Sequence, residues 1–266
     1  VAVRVQDGHG RRGASDPRGL DEALRASSAV DVIDTHHDAW HTAGGEDGPI
    51  PHPAAKEGLP CRARPFDALC LSAGGNDQLS ERLAKVFAAW APPNGRAKIG
   101  AEAAFDILLA AKGFEVIRGR YAALLEALED KVLRKRPDFR VFGHGYAPLT
   151  RIGAKGDLTV QNIGLIAWLK GDVGPWLWKP MRFVLKDEAE GKRFADLLLQ
   201  QGFRDRVLRP LAAADAFGHF FSFVDFAALP GIDDPQRWYD EIHPTELGFA
   251  QLAKHLNAQI RDRLPA

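Results

Sequence analysis

The sequence predicts an α/β chain, a three-layer α/β/α sandwich built on a parallel five-stranded sheet. Three observations carry that expectation. Five short apolar runs recur along the 266 residues, and segments with helical apolar spacing lie between them. The Phe66–Ala73 run is bounded by Pro65 and by Gly74 and Gly75, residues that close strands. No Gly/Ser or Pro-rich linker separates them, so residues 1–266 read as a single domain long enough to bury a substantial core.

Taken in order, Val1 to Val5 is the first predicted strand, followed by a Gly- and Arg-rich loop through Gly19. Leu20 to Ala26 is a brief helix with Asp21 and Glu22 suited to its N-terminal end, and Ala29 to Asp34 is the second strand. Residues 35–65 are irregular. Phe66 to Ala73, bounded by Pro65 and by Gly74 and Gly75, is a buried strand ending in a tight turn. Gln78 to Trp90 carries Leu79, Leu83, Val86 and Phe87 at helical spacing and stops at Pro92 and Pro93. Glu102 to Arg136 continues as helix in two pieces broken near Gly113, with Tyr121, Leu124, Leu125, Leu128 and Val132 on one stripe.

Phe139 to Gly145 is the fourth strand, Leu185 to Leu211 is helical, and Phe220 to Phe226 is the last strand. A final helix from Thr245 buries Phe249, Leu252, Ala253, Leu256 and Ile260. Residues 146–181 form an insertion after the fourth strand, and Trp168, Trp176 and Trp178 suit it to cover a cleft or to pack as a hydrophobic loop.

Charge excludes some functions. Lys plus Arg and Asp plus Glu are each 35, a formal net charge of zero, whereas nucleic acid and anionic membranes demand an excess of positive charge. No apolar run reaches the roughly 18 residues of a membrane span. Two cysteines, Cys61 and Cys70, make no disulfide framework, and a reducing, cytoplasmic compartment is the expectation. The chain starts at Val1, which leaves room for an upstream leader.

Two stretches carry chemistry. In Trp238 to Phe249, Asp240 precedes His243 by three residues, with Pro244 and Thr245 next and an apolar helix beginning at once. A carboxylate so placed accepts from one ring nitrogen and leaves the other as a base. Far upstream, the strand ending at Ala73 opens into Gly74, Gly75, Asn76 and Asp77, where a backbone can approach a substrate closely and an amide NH2 can point at it.

Together these stretches resemble the SGNH hydrolases, the GDSL-like esterase and lipase superfamily. Gly74 to Asp77 resembles the family's third block, GxND, and Asp240 to Pro244 its fifth, DxxHP; Gly143 to Pro148 and Gly174 to Pro180 are similar to segments of a bacterial branch. The resemblance spans about residues 66–260. It implies a flavodoxin-like fold and hydrolysis of small-molecule carboxylic esters without metal or cofactor. His243 would be the base, Asp240 its orienter and Asn76 an oxyanion donor, with Gly74 opening the same block.

The family's serine is missing from its place. Where the first block, GDS, should follow the first strand, the chain reads Gln6, Asp7, Gly8, His9, so Gly8 stands in the nucleophile's slot. Ser15 is the nearest alternative, and Ser72 reads as a strand residue. A displaced serine, a silent binding protein and a misread segment 1–65 are the three readings of this departure. A metal-dependent hydrolase is a rival chemistry, with Asp34, His36, His37, Asp38 and His41 after the second strand. Adjacent strand residues point apart, which disfavours His36 and His37 sharing one ion. His144 and His219 read as structural, and His255 as exposed on the last helix.

Overall fold

The computed structural model describes residues 2–5, 30–33, 68–74, 79, 81–155 and 174–264, with backbone alone at 2–5 and 30–33. The fold is mixed α/β. Its strands are β1 (Ala2–Val5), β2 (Val30–Ile33), β3 (Ala68–Leu71), β4 (Arg140–His144) and β5 (Phe221–Val224), in the order β2-β1-β3-β4-β5. Strands β3, β4 and β5 are parallel, with Leu71 opposite Gly143 and His144 opposite Val224. Strand β1 runs antiparallel to both β2 and β3.

The parallel sheet therefore has three strands rather than the five expected. The reason for the misreading is physical: alternating apolar residues mark a strand and its faces but carry no direction, and direction follows from the connection. In β4 the successive residues Val141 and Phe142 are both buried, at 0% and 1% exposure. Successive strand side chains point to opposite faces, so both faces of the sheet are covered there.

The helices are α1 (Glu81–Val86), α2 (Ala101–Ala110), α3 (Gly113–Leu128), α4 (Trp178–Met181), α5 (Glu188–Asp196), α6 (Arg209–Ala213) and α7 (Glu246–Arg261). The break expected near Gly113 separates α2 from α3, and Lys112 makes it by adopting a left-handed conformation (φ 55°). The helix expected over 185–211 is α5, a π-helical stretch Leu197–Leu208 and α6. Phe194, Leu198, Phe203 and Val207 of this run enter the core.

Two carboxylates end helices from outside or from the cap. Glu190 of α5 accepts from the backbone N–H of Ala101 at 2.5 Å, supplying the acceptor that the first turn of α2 lacks. Asp187 caps α5 by accepting from Glu190 N. Thr245 caps α7 through Gly248 N at 3.3 Å. Leu252, Ala253, Leu256 and Ile260 of α7 are buried, whereas Phe249 is only half-buried. His255 is half-buried as well, its ring 6.1 Å from that of Phe226, and so is not the exposed residue expected.

Candidate active site

The segment after β5 builds the site by closing on itself. A 3-10 turn, Pro235–Arg237, is capped by Asp234, which accepts from Gln236 N at 2.9 Å. Trp238 then pairs with Pro244 across an antiparallel bridge, and Tyr239 N donates to His243 O at 2.8 Å. Trp238 is buried and its indole N–H donates to Ile232 O at 2.8 Å, which pins one side of the loop. The tip is Asp240 to Ile242.

Asp240 is 1% exposed and fully engaged. Its Oδ1 accepts from Ile242 N and His243 N, both at 2.8 Å, and its Oδ2 receives His243 Nδ1 at 2.7 Å. Burial works to raise the Asp240 carboxyl, but the hydrogen bond and charge of His243 and the two backbone donors outweigh it and hold it below the ordinary carboxylate range. An ionised Asp240 only accepts, so Nδ1 carries the proton and Nε2 is left as the base. The His243 side chain is 51% exposed. The Trp176 ring stands nearly perpendicular to its imidazole, at a centroid distance of 5.3 Å and an interplanar angle of 87°.

Glu241, next in the chain, points the other way. It is 0% exposed, and its carboxylate accepts from Gly153 N (3.0 Å), Leu177 N (2.6 Å) and Trp178 N (3.0 Å). Burial, aided by the charge of Asp240, raises its pKa against the pull of those donors. Gly153 can present its N–H here because it adopts φ +80°, and a Cβ there would stand 3.1 Å from Trp178. Arg151 adds a second tie, Nη1 donating to Trp238 O (2.9 Å) and Tyr239 O (2.8 Å). Neither Glu241 nor Arg151 is evident from sequence. The only available signal is an acidic residue beside an apolar one in a segment read as loop.

The second predicted stretch is described in part. Gly74 follows β3, is buried and has φ +93°, and a Cβ there would lie 2.6 Å from Phe203 Cε2. Only glycine fits. Tyr121 Oη donates to Ala73 O at 2.9 Å and ties α3 to the same turn. Ser72 lies just after β3 and is half-buried. Gly74, Gly145 and Asp225 follow three parallel strands and so share the sheet's carboxyl edge, where ligands bind in such folds. Asn76, Gly75 and Asp77 lie outside the described residues, as do Gly8, Ser15, the cluster of His36, His37 and His41, and Trp168.

The remaining singled-out groups are structural in their surroundings. His144 bonds the carbonyl of Gly145 through Nδ1 at 2.9 Å and lies between Tyr146 and Phe226, and burial lowers its pKa. Cys70 is a free, buried thiol pushed up to about 12 by burial, so it stays protonated and inert. Among the described residues no group of three or more His, Cys, Asp or Glu could hold a metal ion, and no helix is long and apolar enough to cross a membrane. A cleft of about 400 Å³ lies at the opposite edge of the sheet, lined by Glu126, Glu129, Asp130, Leu133, Arg134, Pro137 and His219.

The chain matches no family model, no curated protein and no solved structure.

Proposed function

We propose that the chain is a carboxylic ester hydrolase of the SGNH type, acting on small-molecule esters. The observation that carries this reading is the buried Asp240 holding His243 Nδ1 at 2.7 Å while the imidazole reaches solvent. His243 Nε2 takes the proton of a serine hydroxyl as its oxygen attacks the ester carbonyl, and Asp240 stabilises the imidazolium that forms. The leaving alcohol collects that proton, and water then cleaves the acyl-enzyme by the same route. Asn76, beyond the rigid Gly74 turn, supplies its amide to the oxyanion, a donor worth roughly 3 to 4 kcal/mol in such sites. Gly74 acts by shaping the turn.

The proposal extends to the fold and compartment. The strand order 2-1-3-4-5 is the flavodoxin-like one. The three-layer α/β/α sandwich belongs to this reading, as does a cytoplasmic location.

The test is labelling with a fluorophosphonate probe, with the adduct located by peptide mass spectrometry and a His243→Ala control. One modified serine, lost in the control, is the expected result, and Ser15 is the first position to check. Gly8 in the nucleophile's slot favours a second reading, a silent binder using the same cleft. Folded protein that takes no label decides for it.

A further inference from the structure

Asp240 and Glu241 are adjacent, both buried and both carboxylates, yet the base needs only the first. Glu241 spends its carboxylate on Gly153, which lies shortly before residues 156–173, and on Leu177 and Trp178, which lie shortly after them. Arg151 grips the same loop from the near side of that segment through the carbonyls of Trp238 and Tyr239. Between the last two anchors and the loop stands Trp176, one residue before Leu177, with its ring against His243. An Nδ1 hydrogen bond fixes one edge of an imidazole but lets neighbours on the other side vary. Trp176 is the ring the structure places against this imidazole.

We propose that Glu241 is a positioning residue: it locks the backbone of Leu177 and Trp178 to the histidine loop, and so holds Trp176 against His243 as one wall of the substrate site. This rests on His243 being the base. Three backbone N–H groups converge on one buried carboxylate, which favours this arrangement of the two segments: Leu177 N would otherwise be an unpaired buried donor, and the half-buried Gly153 and Trp178 would lose a carboxylate acceptor. A ring packed against the imidazole narrows the space beside it, so the proposed site admits small acyl groups and resists an aromatic one.

The first readout does not depend on activity. Ring current from Trp176 displaces the His243 Hε1 resonance from the position of an ordinary histidine, and Trp176→Leu returns it there. Glu241→Gln, which keeps size but replaces one acceptor oxygen with an NH2, returns it likewise. A Glu241→Gln protein that keeps the wild-type displacement overturns the proposal. Should that variant not fold, amide exchange on the unaltered chain decides. Gly153, Leu177, Trp178 and Ile242 then share one opening, and independent exchange of Leu177 and Trp178 sinks the idea.

The second readout is the ratio of kcat/KM for p-nitrophenyl acetate to that for the benzoate. Glu241→Gln lowers the ratio about tenfold, with acetate falling through kcat more than KM, as expected when a reacting group is misplaced. An unchanged ratio counts against the wall. A chain that cleaves neither ester but shows the resonance shifts retires the hydrolase reading and leaves the positioning role standing.

Discussion

Two histidine–carboxylate pairs lie at opposite edges of the same sheet, and they differ in how far the carboxylate is buried and how closely it is held. His243 and Asp240 meet at 2.7 Å, with the carboxylate 1% exposed and held by two backbone N–H groups. His219 and Glu129 stand 4.0 Å apart with side chains 54% and 45% exposed, on the rim of the 400 Å³ cleft. The cleft has room for a ligand, yet its exposed charges stay in water and keep their alternatives. Chemistry follows from a group denied alternatives. A buried carboxylate with both oxygens engaged orients an imidazole, and a solvated one at 4.0 Å does not.

The widest separation between the pairs is in activity. His243→Ala lowers kcat/KM for p-nitrophenyl acetate by about 10³-fold or more, while His219→Ala stays within about twofold. Comparable losses from both would erase the contrast. Stability separates them next. In urea melts, Asp240→Asn costs about 2 to 3 kcal/mol because charged hydrogen bonds are lost in a buried site, and Glu129→Gln costs under about 0.5 kcal/mol.

Gly74→Ala probes the neighbouring turn. A Cβ 2.6 Å from Phe203 at φ +93° destabilises the fold by about 2 kcal/mol or more, read from the same melts. The smallest effect is the pH dependence, and there Asp240 and Glu241 have opposite signs. Asp240 is held low, so its contribution is complete above the unfolded value of about 3.9 and is lost as pH falls through the folded one. Glu241 is raised, so its contribution is complete below about 4.3 and is lost as pH rises through the folded value. Thermal melts across pH 3 to 7 accordingly show a smaller acid loss in Asp240→Asn. Glu241→Gln removes a loss on the rising side.

How much of this was legible in the chain varies by region for physical reasons. α1 ends at Val86, short of the Trp90 expected, whereas the break before Gly113 and the start of α7 at Thr245 fall where expected and are local events. Each of these two is decided by a left-handed residue or a cap within one turn. Phe249 and His255 were misjudged because the helical period says which residues share a face. It does not say how far that face is covered.

What the sequence by itself determined is the Asp240–His243 pair. The three hydrogen bonds that Asp240 accepts run between residues two and three apart, so they are local to the loop. The Gly74 turn is of the same kind in its need for glycine, though its reason, Phe203, lies far along the chain. Tertiary structure alone decided the direction of β1, the contact of Trp176 with His243 and the role of Glu241. Glu241 bonds partners 63 to 88 residues away. A glutamate in a loop reads as solvated, and only the packing of two distant backbones around it removes the water and makes its carboxylate a tie.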